Sequence, residues 1–192
     1  MLFLNRNHWL NIFQTLILEK EIREGMVKSI AIFGVSRTNG RVLAEKLAAH
    51  PFRILVLSEE IDAIPSLFSD YPDADIQVLN CPAQTGWEAD IIVMNVFAEN
   101  QTQLVNSIRE FVTKKVVLNI SELGSEGSLN IETELESLLP YSSLINLSFI
   151  ESNEGQLLYS ISGRDREALG ETEAILKQAG FVDVPYELSK SN

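Results

Sequence analysis

A chain of 192 residues, 45% of them hydrophobic, is long enough to bury the core of one domain, and it carries no internal repeat, low-complexity tract or long linker. A formal net charge of −12 argues against sequence-independent nucleic-acid binding, which needs a basic surface to neutralise phosphates, and reads as an aid to solubility. The single cysteine, Cys81, excludes an intramolecular disulfide framework and fits a reducing, cytoplasmic setting; near a strand end it reads as a small buried hydrophobe rather than a reactive thiol.

The first segment, 1–25, stands apart. Trp9, Ile12, Phe13, Leu16 and Ile17 share one helical face, but WLNIFQTLIL contains Asn and Gln and is far shorter than the roughly 20 apolar residues of a membrane-spanning helix. No small-residue cleavage site follows, so a signal peptide is disfavoured and no membrane association is expected. Two readings stand side by side. In one, the segment is an added helix packing on the domain or on a second subunit, the latter giving a homodimer. In the other, Met26 is the natural start; in both, 26–192 is expected to form a single dinucleotide-binding domain.

Residues 28–49, KSIAIFGVSRTNGRVLAEKLAA, combine an apolar strand, a turn opened by Gly34 and closed by Gly40, and an amphipathic helix with Val42, Leu43, Leu47 and Ala48 on one stripe. A helix start has unpaired N–H groups and the positive end of the dipole, so strand, glycine turn and helix in that order offer a site to a phosphate. Short apolar runs follow at 53–58 (RILVLS), 75–80 (DIQVLN), 90–96 (DIIVMNV) and 115–120 (KVVLNI), as expected of strands buried on both faces. Helical stripes lie between them: Leu104, Ile108, Phe111 and Val112, then Ile131, Leu135, Leu138 and Leu139. Pro65 interrupts any helix after Ser58. The alternation predicts a doubly wound, mainly parallel α/β sheet in three αβα layers, Rossmann-like.

The turn departs from G-x-G-x-x-G. G-V-S-R-T-N-G is one residue longer, and Ser36, Arg37 or Thr38 stands where the middle glycine lets a pyrophosphate approach. Other catalytic arrangements are thin. His8 and His50 with one Cys give no zinc spacing, and no metal is expected; His50 suits the end of the first helix. No G-x-S-x-G elbow is present. Tyr186 and Lys190 have the Tyr-x-x-x-Lys spacing of short-chain dehydrogenases, but follow a predicted strand at the chain end, so the match reads as coincidence.

GVSRTNGRVLA resembles the G-A-S-R-G-I-G-R-A-I-A turn of short-chain dehydrogenases, with Thr38 for the middle glycine. The second half, from KKVVLNISELGSEG to LLYSISGRDREALGETEAILKQAGFVDV, resembles in arrangement the NADP reductases that act with a deazaflavin (coenzyme F-420), over about residues 27–185. The resemblance implies cofactor contacts at Gly34, Ser36, Arg37, Thr38 and Gly40, with Ser58 at the end of the second strand. It implies NADP as cofactor, with NAD as the alternative. Arg37 favours a 2′-phosphate, whereas Glu59, where the family has Arg, favours the free ribose hydroxyls. The loop of Asn95 and Phe97 is expected to flank the nicotinamide, and Ser121 and Ser148 are further pocket positions at strand ends.

Ser121-Glu122-Leu123 stands where the family has Ser-Asn-Pro, and Asn146-Leu147-Ser148-Phe149 where it has Lys-Ala-Phe-Asn. The acceptor pocket is therefore not reproduced, and no catalytic residue is assigned. The expectation is a small reductase passing hydride between a nicotinamide and a flavin-like or small carbonyl acceptor. The alternative is a dinucleotide-binding sensor or scaffold without turnover.

Overall fold

The computed structural model describes residues 27–57, 64–121, 128–151 and 157–184. The segment 1–25 and the residues Ser58, Glu59, Tyr186 and Lys190 lie outside them. In chain order the elements are β1 (Ser29–Phe33), α1 (Thr38–Ala48), β2 (Arg53–Leu57), α2 (Ile64–Leu67), β3 (Asp75–Leu79), α3 (Pro82–Glu88), β4 (Ile91–Met94), α4 (Ala98–Ile108), β5 (Val116–Ser121), α5 (Ser128–Leu138), β6 (Ser143–Glu151), β7 (Leu157–Gly163), α6 (Arg166–Gln178) and β8 (Val182–Asp183).

The strands form one sheet in the order β3-β2-β1-β4-β5-β6-β7-β8. The first six run parallel, β7 returns antiparallel to β6, and β8 lies parallel to β7. This is the expected doubly wound Rossmann-like α/β fold, and the order reverses between β1 and β4, the point where such sheets open a crevice.

Two apolar layers hold it together. Every residue of β1 is buried, because alternate side chains meet helices on opposite faces. On one face Ile30, Ile32, Ile54 and Val56 pack with Leu43 and Leu47 of α1 and Leu176 of α6. On the other Ala31, Phe33, Leu55, Ile92, Met94 and Val117 pack with Val105 and Ile108 of α4 and Leu135 of α5. Each fully buried Ile or Leu contributes about 1.5–3 kcal/mol relative to exposure, so these layers hold β1 and β4 rigidly side by side.

The structure refines several boundaries. Pro65 lies within the four-residue α2, so a short helix does form over 64–67. The stripe of Leu104 and Ile108 ends with α4; Phe111 and Val112 lie beyond it, in the turn that leads to Lys114 at φ 62°. Helix α3 carries no apolar stripe: Pro82 starts it, and its buried residues are Thr85 and Gly86, the latter close enough to α4 that a Cβ would stand 3.4 Å from Ile108 and Val112. Cys81, expected to be buried, is exposed, because it precedes α3 at the end of the edge strand β3.

Candidate functional site

The site grows from two glycines and an asparagine. Gly34 ends β1 with φ +87°, a conformation that strains any residue with a side chain. A Cβ there would lie 2.1 Å from the Asn95 carbonyl oxygen, so β1 turns directly against the backbone leaving β4. Gly40, in the first turn of α1, is equally confined. Its Cβ would stand 2.5 Å from the Gly34 carbonyl oxygen and 2.6 Å from Asn95 Nδ2.

Asn95 locks the assembly. Its Nδ2 donates to the Gly34 carbonyl at 3.1 Å and its backbone N–H to the Phe33 carbonyl at 2.9 Å. Arg37 N–H also donates to the Gly34 carbonyl, at 3.2 Å. The residue expected to flank the nicotinamide is therefore 4% exposed, with its amide committed to bracing the turn.

The outer side of the turn is different. Ser36 and Thr38 are exposed and Arg37 is half-buried, so the side chains at the middle of the turn are accommodated outside the glycine packing. Arg37 is the N-cap of α1; no side chain caps this helix and its first turn has no acid. The positive end of the helix thus carries no acid of its own first turn, an arrangement that suits an anion. The Arg37 guanidinium carbon sits 3.9 Å from the ring centroid of Phe97, which is 54% exposed at the start of α4.

Across the sheet, the ends of β5 and β6 carry neutral polar groups. Ser121 and Ser148 are register partners and share a hydrogen bond, Oγ to Oγ, at 2.8 Å. One step earlier Asn119 Nδ2 donates to Asn146 Oδ1 at 3.3 Å, and Gln101 Nε2 of α4 donates to Asn119 Oδ1 at 3.2 Å. Gln101 Oε1 is buried with no hydrogen-bond partner among the described residues. Sequence reasoning found the two serines and missed Gln101 and Asn119 as members of this row. The signal was the repeated Asn-x-Ser of 119–121 and 146–148, whose two-residue spacing puts both residues on one face of each strand.

A cavity of about 540 Å³ lies elsewhere, at the amino end of the strands, lined by His50, Phe52, Tyr71 and Asp73 among others. It is remote from the carboxyl ends, where open α/β sheets bind ligands. Among the described residues no three His, Cys, Asp or Glu side chains gather as metal ligands, and no helix is long and apolar enough to cross a membrane.

A Cβ at Gly34 or Gly40 would strike protein atoms, so these glycines let β1, α1 and the backbone leaving β4 close on one another, and the start of α1, which no side chain caps, is the kind of place where an anion finds backbone donors. No protein-family model and no curated protein sequence matches the chain. Solved structures do. Over 83% of its length the chain superposes on the Mycobacterium tuberculosis 3-hydroxyisobutyrate dehydrogenase with L-serine, at a TM-score of 0.63 and 14% identity, covering 54% of that chain. It matches the Plasmodium falciparum pyrroline carboxylate reductase with NADP bound over 83% of its length, at a TM-score of 0.60 and 13% identity, covering 58% of that chain. An imine reductase from Myxococcus stipitatus in complex with NADP+ matches over 82%, with a TM-score of 0.57 and 14% identity, covering 54% of that chain. The chain spans little more than half the length of these proteins, and what it shares with them is the Rossmann-like fold.

Proposed function

We propose that the chain binds a nicotinamide dinucleotide, NADP(H) or NAD(H), at the carboxyl ends of β1, β2 and β4 and acts as a small oxidoreductase. One observation carries this reading: the interlock of Gly34, Gly40 and Asn95 at the head of a helix whose first turn has neither a cap side chain nor an acid. Such a cradle gives a phosphate backbone donors at close approach and the positive end of a helix dipole. Two of the fold neighbours hold NADP and an imine reductase variant holds NAD+, which supports a nicotinamide dinucleotide as the ligand.

A bound nicotinamide supplies the hydride, and the protein supplies orientation and exclusion of water. In this reading Gly34 and Gly40 let the turn close against β4 so that the start of α1 meets the pyrophosphate, Ser36 and Thr38 offer hydroxyls on the outer side of the turn, and Ser58 and Glu59 read the adenosine ribose. Phe97 stands on the nicotinamide side. The acceptor, a flavin-like ring or a small carbonyl compound, lies toward Ser121 and Ser148, whose hydroxyls hydrogen-bond without adding charge.

A second reading has its own observation. The row of Asn95, Gln101, Asn119, Asn146, Ser121 and Ser148 contains no ionisable group, so it orients a ligand without offering a proton donor of tuned pKa. That favours a dinucleotide-binding sensor without turnover.

Turnover separates the two. Loss of reduced-nicotinamide absorbance is followed with NADPH and NADH against FMN, a deazaflavin and a panel of small aldehydes, ketones and cyclic imines. The enzyme reading expects oxidation that disappears in Gly40→Leu; binding without oxidation by any acceptor supports the sensor.

A further inference from the structure

We propose that the groove at the amino end of the strands is the docking site for the apolar stripe of this chain's own segment 1–25; the inference is independent of the dinucleotide reading, whose site lies at the opposite end of the sheet. The groove, about 540 Å³ in volume, combines apolar and acidic surface. Val27, Ala49, Pro51 and Pro72 are exposed along it and Tyr71 is half-buried. Asp70, Asp73 and Asp75 are exposed on the same surface, and none of the three has an ion-pair partner among the described residues. No Lys or Arg is among the described residues that line it. The surface therefore suits an occupant that brings apolar side chains and a positive charge.

The segment has both properties in its sequence. Trp9, Ile12, Phe13, Leu16 and Ile17 recur at the spacing of one helical face, and a stripe of that kind is stable in water only when something covers it. Between residues 1 and 18 the one ionised side chain is Arg6, so this stretch is positive in a chain whose net charge is −12. The attachment point agrees as well. Val27, the first described residue, itself lines the groove, so the segment joins the domain at the groove's edge. Nine residues, 18–26, separate Ile17 from Val27, and extended they reach about 30 Å. The groove extends from β1 to the edge strand β3, two strand spacings or about 10 Å away. The tether thus spans the whole groove and holds the stripe beside it at high effective concentration, which favours docking within one chain over docking between two.

The test reads Trp9 in the full chain. The other tryptophan, Trp87, is 70% exposed, and Trp87→Phe leaves Trp9 as the one indole reporter. Its emission should be blue-shifted and protected from acrylamide, to the same degree at every protein concentration and without added vesicles. In that background Phe13→Asp should expose Trp9 and lower Tm by several degrees, because an apolar contact is lost. Ala49→Arg, at an exposed position, puts a bulky cation into the groove and should expose Trp9 equally, with circular dichroism showing that the domain remains folded. A charge exchange keeps the test independent of folding defects: Asp73→Lys should expose Trp9 in part, and adding Arg6→Glu should restore its protection. An exposed Trp9 in the Trp87→Phe chain overturns the proposal. Protection that grows with protein concentration assigns the stripe to a second copy, protection that needs anionic vesicles assigns it to a lipid surface, and protection unchanged by Ala49→Arg assigns it to another face of the domain; each of these overturns the proposal too.

Discussion

The two ends of the sheet are built to opposite plans. At the amino end, charged and polar side chains close on backbone groups. Asp90 Oδ2 accepts from the Ser29 backbone N–H at 2.9 Å and from Ser29 Oγ at 2.8 Å, tying β1 to the entry of β4. Lys115 Nζ donates to the carbonyls of Gly86 and Trp87 at 2.8 and 2.7 Å, closing the last turn of α3. Burial pushes the Lys115 ammonium below its usual pKa, and the Asp90 carboxylate opposes that shift. Asp165 caps α6, accepting from the backbone of Glu167 and Ala168 and from Ser143 Oγ. At the carboxyl end no side chain caps the start of α1 and its first turn holds no acid, while Gly34 and Gly40 let the backbones close on one another. Polar groups satisfied within the chain contribute stability; donors held open by close packing are what a ligand uses.

That contrast predicts which substitutions remove binding and which remove stability. The largest effects belong to the glycines. Gly34→Ala and Gly40→Leu each drive atoms into backbone or amide groups 2.1 to 2.6 Å away. Each should abolish dinucleotide binding and cost about 1–3 kcal/mol or more of stability, as overpacking does. Chemical denaturation and calorimetry together check both halves. An Ala variant at Gly34 that binds as the wild type does would break the comparison.

Asn95→Asp comes next. The carboxylate presents oxygen to the Gly34 carbonyl in place of the donating Nδ2, so the brace becomes a repulsion and a negative charge enters the anion site. Binding should fall by about tenfold or more, with about 1–3 kcal/mol lost in stability. Asn95→Ala, which removes the bond without adding charge, should lie between this variant and the wild type in both measurements.

At the opposite end Asp90→Ala should cost about 1–2 kcal/mol, because the buried Ser29 loses its carboxylate partner. Its dinucleotide affinity should be unchanged. Coupled loss of affinity would show that the two ends of the sheet are not independent.

How much of this was legible in the sequence follows from the kind of information each feature uses. The β1 turn and α1 were readable because a run of five buried residues and two glycines are local signals with a single structural meaning. Helix α3 was not, since its contact with α4 depends on the smallness of Gly86, which hydropathy does not record. The row of Gln101, Asn119 and Asn146 depends on the register of β5 against β6, a non-local property invisible in either strand alone. The side of the turn on which Arg37 lies depends on its meeting Phe97, 60 positions along the chain, and no spacing rule reports that. The sequence places Asn95 just after the apolar run of β4, but only the packing shows that its amide faces the turn.

The smallest effect concerns pH. Hydrogen bonds from Ser143 and from the backbone of Ala168 and Glu167 hold the Asp165 carboxyl below the ordinary value of 3.8. Its folded-state pKa is lowered, so the carboxylate's stabilisation is fully present above the unfolded-state value and is lost as pH falls through the folded one. Asp165→Ala should therefore lower Tm near neutral pH, with the gap to the wild type closing as the buffer is taken below the ordinary aspartate range. A constant gap at every pH would assign the effect to packing at α6 in place of the charged cap.

The central claim is most directly tested by calorimetric titration of the wild-type chain with NADP+ and NAD+, with Gly40→Leu as the control. The account predicts a saturable one-to-one heat for at least one of the two dinucleotides and none for Gly40→Leu, provided that the variant is shown to be folded. No binding of either by the folded wild type at about 1 mM ligand, a limit of about −4 kcal/mol, would contradict it.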